Sequence, residues 1–194
     1  MANELWLNAA ISLQDITRPM SVLSRLFSRK DPREIARAAY DRIIAMGRDP
    51  YWYLDGKVED SVDGRFEAVT MVLAAVLLRL EQDDTDPQVR QFSVFLAELF
   101  VDDMDGQLRQ NGVGDLVVGK HIGKMMSALG GRLGAYREAL ASGNGDQLAQ
   151  ALRRNLYRDA PVDDAAVTAT ADHLAQLYAR LRALPATTIM QGSF

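Results

Sequence analysis

Apolar residues recur at steps of three and four along most of this chain, the spacing of amphipathic helices with one buried face. Asp31 followed by Pro32 reads as an N-cap and a first helical position. From there Ile35, Ala38, Ala39, Ile43 and Met46 form the predicted buried face, up to a stop at Gly47. Tyr51-Trp52-Tyr53-Leu54 is an aromatic cluster expected to plug the core, ahead of an acidic loop that runs to Asp63. Asp63 is placed to cap a helix through Phe66, Val69, Val72, Leu73, Val76, Leu77 and Leu80. That helix is apolar around so much of its circumference that it is expected at the centre of the fold, with Arg65 and Glu67 in its first turn pointing elsewhere.

Asp86 and Pro87 open a further helix that reaches Gln110. Its stripe is Leu96, Leu99, Phe100, Met104 and Leu108, with Glu98, Asp102 and Asp105 on the other side. Asp105 precedes Arg109 by four residues, a favourable spacing for an exposed pair. Gly112 and Gly114 predict a sharp turn, and Asp115 the N-cap of a long helical pattern to Ala141. That pattern contains Gly119, Gly123, Gly130, Gly131 and Gly134, each costing about 1 kcal/mol against alanine in a helix interior. They predict close helix approach, a kink or a break, with a disturbance near Gly130 and Gly131.

A turn at residues 142–146 leads to a helix through Leu148, Ala151, Leu152 and Leu156. Pro161 separates it from a last helix over 162–184 that buries Val167, Leu174, Leu177, Tyr178 and Leu181. Residues 185–194 read as a flexible, loosely attached tail. No stretch has the alternation of a strand, so the expected fold is an all-α single-domain bundle of about six or seven helices over 20–184. Residues 1–19 are an N-terminal extension of uncertain standing, with a short helix through Leu5, Trp6, Ala9, Ala10 and Leu13.

Composition narrows the function. At 194 residues, 48% hydrophobic and 25% charged, the chain has the make-up of an ordinary soluble domain able to bury its own core. It has no cysteine, which excludes disulfides, thiolate metal sites and cysteine nucleophiles. The net charge of −4 hides an asymmetry. Residues 18–48 carry eight bases against three acids, and residues 55–105 carry thirteen acids against four bases. The acidic middle argues against a nucleic-acid partner.

In the basic end, Val22, Leu23, Leu26 and Phe27 line one side of a segment that also carries Arg25, Arg29 and Lys30. Two readings stand. One is an interfacial helix that lies on anionic membrane through Leu23, Leu26, Phe27, Arg29 and Lys30. The other is an ordinary helix docked on the core. The longest nearly unbroken apolar run, residues 69–78, is ten residues, against about twenty needed to cross a bilayer. Glu4 stands where a secretory signal carries bases, so the cytoplasmic side is expected.

Catalytic signals are weak. Residues 114–120 satisfy the spacing G-x-x-x-x-G-K of a phosphate loop, but His121 stands where a Ser or Thr must hold Mg²⁺, and a polar helix end precedes it instead of a strand. Asp103-Met104-Asp105-Gly106 lacks the further acids of a calcium loop. His121 and His173 have no metal-ligand spacing around them, so neither metal nor cofactor is expected. Asp102, Asp103 and Asp105 read as solvated acids, and no paired D-D-x-x-D motif supports diphosphate chemistry on an isoprenoid-like substrate.

The run DMDGQLRQNGVGDLVVGK over residues 103–120 resembles the signature of the ubiquinol-cytochrome c chaperone family, whose members assist assembly of the respiratory bc1 complex. Residues 60–67, DSVDGRFE, resemble that family's other recurrent motif, and residues 20–27, MSVLSRLF, resemble the start of its bacterial members. The similarity runs over roughly residues 20–157. It implies a helical, non-enzymatic assembly chaperone that binds newly made cytochrome b or another bc1 subunit beside the inner membrane. The partner-binding residues it implies are Asp63, Arg65, Phe66, Asp102, Asp105, Arg109, Asp115 and Lys120. A client helix could lie in a groove between helices. The rival class is a carrier whose apolar pocket holds a quinone or lipid; a large cavity would favour it and a packed core would count against it.

Overall fold

The computed structural model describes residues 31–110 and 115–194, with the side chains of 107–110, 115–122 and 124 excepted. The chain divides into two units, Met1–Glu34 and Ile35–Phe194. In the first, Asp31 Oδ1 accepts from Arg33 N at 2.9 Å and so caps the turn that Pro32 opens.

The described residues are all-α. A 3-10 turn, Pro32–Ala36, leads into α1 (Arg37–Gly47), followed by α2 (Pro50–Leu54), α3 (Val62–Leu80), α4 (Pro87–Gln110), α5 (Asp115–Ser142), α6 (Gly145–Asn155), α7 (Asp164–Arg182) and α8 (Ala186–Met190). Six of these have eleven residues or more, matching the six long periodic stretches. Within Ile35–Phe194, α3 is the central helix. It packs against α1, α4, α5, α7 and α8, and Ala68 to Val76 are buried without a break. Around it Trp52, Phe92, Phe100, Tyr136 and Leu152 are among the largest fully buried side chains.

Several boundaries follow expectation for the expected reason. Asp86 Oδ1 accepts from Gln88 N at 2.8 Å to open α4. The turn before α6 has Gly143 at φ +64° and Asn144 as the cap of Asp146 N. Val167, Leu174, Leu177 and Leu181 face inward from α7, with Tyr178 half-buried.

Four expectations are corrected. The buried face of α1 is Ala36, Ala39, Tyr40, Ile43 and Gly47, while Ile35 is 61% exposed and Ala38 is exposed. The sequence carries two overlapping stripes. The 3-10 opening turn and the close seating of Gly47 on Val69 select the second. Tyr51 to Leu54 form a short helix, capped by Asp49, in which Trp52 is buried and Leu54 is 68% exposed.

The described glycines of α5, Gly123, Gly130, Gly131 and Gly134, mark neither a break nor a close approach, and Gly119 lies outside the described side chains. The helix is continuous through Gly130 and Gly131, and a Cβ at Gly123, Gly130, Gly131 or Gly134 would meet nothing within 4 Å. The stretch after Pro185 is not loosely attached. It forms α8, Ile189 is 0% exposed, and Arg42 Nε donates to the backbone oxygen of Phe194. Gly192, at φ +72°, lets the chain run against the backbone of Ala38. Arg79, buried on α3, secures the approach to α8 by donating to Leu181 O (3.2 Å) and Leu184 O (2.7 Å).

Because the α5 glycines are helical with open space at Cβ, Gly130→Ala and Gly131→Ala should each stabilise the fold by up to about 1 kcal/mol. In thermal unfolding this is a rise of about 2–4 °C per substitution. A fall in Tm would mean that a close neighbour needs the glycine.

Candidate partner-binding face

The 60–67 motif enters α3 differently from its sequence reading. Ser61, not Asp63, is the N-cap: its Oγ accepts from Gly64 N at 3.1 Å, and its extended backbone turns the chain into the helix. Serine wins because the loop folds back on the first turn. A Cβ at Gly64 would lie 1.9 Å from Glu59 O, so the helix must begin while the chain is still in contact with it.

Asp63 is left in the first turn, exposed, and its carboxylate pairs with Arg158 in the corner between α6 and α7. That hydrogen bond, more than the charge itself, pushes the Arg158 pKa up. Tyr157 ties the same corner to the loop, its hydroxyl donating to Gly56 O at 2.6 Å and lying 2.9 Å from Thr170 Oγ1.

Arg65 Nε donates to Asp60 Oδ1 at 2.7 Å, both side chains exposed. The hydrogen bond holds the Asp60 carboxyl below the usual range and raises Arg65. Phe66 is half-buried and packs on Phe100 of α4, with ring centroids 5.7 Å apart. Glu67 turns inward. It is 6% exposed and pairs with Arg132 of α5 at 2.5 Å, which corrects its placement among residues pointing away. Burial pushes the Glu67 carboxyl up while Arg132 pulls it down. Arg132 Nε is buried with no acceptor among the described residues, so the pair is incompletely satisfied. Burial also raises the neighbouring Tyr136 phenol.

The 103–120 motif begins on the same side of the core. Asp103, half-buried, accepts from Tyr40 OH at 3.0 Å and joins α4 to α1. Burial first, then Asp103, raise the Tyr40 phenol. Asp102 is exposed beside it and lines an open groove of about 400 Å³ with Arg37, Tyr40, Asp41, Arg48 and Leu99. Burial first, then the nearby Asp60 carboxylate, raise the Tyr53 phenol. Asp105 is half-buried.

Arg109 lies in α4, and Asp115 and Lys120 lie in α5, where Asp115 is the first helical residue. Their side chains, and the 111–114 turn, fall outside the described residues, as do Leu23, Leu26, Phe27, Arg29 and Lys30. Phe66 of the first motif thus meets Phe100, three residues ahead of the second motif on α4, while Asp63 turns to the 157–160 corner and Asp102 to the α1 groove. Glu67, Asp103, Arg132 and Arg158 were missed as working residues. An acid next to the unbroken apolar run of α3 was the available signal for Glu67; nothing local marked Arg158.

Among the described residues no group of His, Asp and Glu side chains could hold a metal, and no helix is long and apolar enough to cross a membrane. An all-helical domain with a packed core, whose motif residues either tie helices together or stand on a charged face, has the build of a protein-interaction module. The family model described as Ubiquinol-cytochrome C chaperone matches residues 54–194, and the chain belongs to that family. The match takes in both inner motifs and the docked C-terminal segment. The crystal structure of the Cbp3 homolog from Brucella abortus is similar, with a TM-score of 0.74, 28% identity, and coverage of 89% of this chain and 94% of that one. No curated protein matches the chain. Family membership supports a chaperone role in bc1 assembly and implies a non-catalytic protein.

Removing one partner of a buried pair strands the other charge. Arg132→Ala should therefore cost about 3 kcal/mol, a fall in Tm of about 6–12 °C for a domain of this size. Glu67→Met/Arg132→Met should recover most of that loss, because no buried charge remains. Equal Tm values for the wild type and Arg132→Ala would show that the pair carries no such weight.

Proposed function

We propose that this protein is a non-catalytic assembly chaperone of the cytochrome bc1 complex that binds newly made cytochrome b from the cytoplasmic side of the inner membrane. The observation that carries the reading is the family match over residues 54–194, which includes the motif at the start of α3 and the one that joins α4 to α5. The exposed residues among those the family resemblance implies, Asp63, Arg65 and Asp102, supply polar contacts that orient a partner. Asp105, Arg109, Asp115 and Lys120 belong to the same proposed partner-binding set, and Phe66 packs beneath the exposed residues against Phe100. The basic, apolar segment with Leu23, Leu26, Phe27, Arg29 and Lys30 supplies peripheral contact with anionic membrane.

The carrier reading finds less support. Two open clefts among the described residues are the 400 Å³ groove, whose lining is largely polar, and a cleft of about 260 Å³ lined by Ile35, Phe92, Thr187, Met190 and Gln191. A quinone or lipid needs an enclosed, predominantly apolar site of about 300–1,000 Å³.

The test is capture of cytochrome b by the tagged protein from detergent-solubilised membranes during active bc1 synthesis, beside an Arg65→Ala/Asp102→Ala variant whose fold is checked by circular dichroism. Recovery by the wild type and a several-fold loss in the variant are expected. Equal recovery by both would remove these residues from the client surface. If crosslinked wild type never recovers cytochrome b, the client assignment is wrong.

A further inference from the structure

The last residue of α2 and the first of α3, which flank the loop between them, are two of the large apolar side chains that stand out in solvent, Leu54 at 68% and Val62 at 67% exposure. Both ends of that loop are fastened to the α6–α7 corner. Tyr157 OH donates to Gly56 O near one end, and Arg158 pairs with Asp63 at the other. The backbone is held tightly on both sides. Lys57, Arg158 and Asp159 take φ of 57°, 55° and 58° without being glycine. Asp159 N donates to Arg153 O at 2.9 Å and Ala160 N to Tyr157 O at 2.9 Å, which fixes the corner. Left-handed residues of this kind persist where the surroundings over-determine them. The face is therefore pre-organised, and a partner that lands on it loses little free energy in ordering it.

The charge on this face selects the partner. Over residues 54–65 and 157–164 the exposed charged side chains are seven carboxylates (Asp55, Glu59, Asp60, Asp63, Asp159, Asp163, Asp164) against three bases. Arg65 is paired with Asp60, Arg158 with Asp63 and, from just outside these residues, Arg153 with Asp164, while Lys57 Nζ donates to Leu54 O; Asp55, Glu59, Asp159 and Asp163 have no Lys or Arg partner among the described residues, so the face keeps a net negative charge. What the face offers outward is negative potential around two apolar anchors. Such a surface repels anionic lipid and has no continuous apolar strip for a transmembrane helix. It complements a short cationic segment that carries an apolar side chain.

We propose that the face formed by Leu54, Val62, Asp63 and the 157–160 corner receives a Lys/Arg-rich segment next to a transmembrane helix of the client, with Val62 as the apolar anchor. The proposal rests on the chaperone reading above. Membrane proteins concentrate Lys and Arg in their short cytoplasmic loops, beside the membrane ends of their helices. A cytoplasmic chaperone meets that chemistry first, while the apolar spans are still entering the bilayer. An incoming base competes with Arg158 for Asp63.

The test uses the full chain and fluorescent peptides of equal length and leucine content, one Lys/Arg-rich and one Asp/Glu-rich, read by anisotropy. Tighter binding of the basic peptide by about tenfold or more is expected, falling with added salt. Val62→Asp and Asp63→Asn, both at exposed positions and checked by circular dichroism, should each weaken it several-fold. Equal binding of both peptides, basic-peptide binding untouched by both variants, or Val62-dependent binding to anionic vesicles would each overturn the proposal. Capture of cytochrome b by wild type is run in parallel. If the client is captured while the basic peptide fails to bind, this proposal falls and the chaperone reading stands. If the peptide binds as expected while no client is captured, the face keeps its cationic specificity and the cytochrome b assignment falls.

Discussion

The enclosure of α3 is the constraint on which the rest of the structure depends. A helix buried over most of its surface can leave no polar group without a partner, so each neighbour reaches it by a specific tie as well as by apolar contact. Phe66 meets Phe100, Glu67 takes Arg132, and Arg79 holds the carbonyls at the end of α7. Close seating of Gly47 on Val69 sets α1 at its distance. Glu67 is the costly member of this set. Its charge sits where desolvation opposes it, and it is kept there by one arginine from α5, a pair whose worth lies more in fixing which helix lies where than in net stability.

The 60–67 motif divides its work along the helical turn. Ser61 and Gly64 shape the entry, Phe66 and Glu67 face inward to α4 and α5, and Asp60, Asp63 and Arg65 stand in solvent. Family membership brings a bc1-assembly role to a domain whose inward motif residues are structural joints. The outward ones, with the groove beside Asp102 and the 157–160 corner, form the surface we propose for a partner.

Long-range order was legible wherever apolar spacing decides it. The six long helices and the central place of α3 follow from residues such as Val69, Leu73 and Val76, because no other arrangement buries them. Choices between near-equal local options were not legible. Ser61 and Asp63 both cap helices well, and the fold-back of Glu59 on Gly64, a tertiary contact, decides between them. Along α1 the stripe with Ile35 and Met46 was the more apolar, and the one with Tyr40 is buried instead because the 3-10 turn and the seating of Gly47 on Val69 turn it inward. Ile189 and Met190 are too few to advertise a docked tail, which depends on Arg79 and on the close passage of Gly192 along α1. Gly130 and Gly131 suggested a break because propensity was weighed without the apolar face that holds α5 in place. For the site, Asp63, Arg65 and Asp102 were found as exposed residues, but Arg158 reaches Asp63 across 95 positions, beyond any local pattern.

The most direct measurement is site-specific photo-crosslinking in cells that are assembling bc1 complex, with the photo-reactive residue placed at Val62 on the motif face or at Ala175, exposed on α7. A chaperone that engages its client through the motif face gives a crosslink to cytochrome b from position 62 and little or none from position 175. Crosslinks of equal yield from both positions, or from 175 alone, would contradict it.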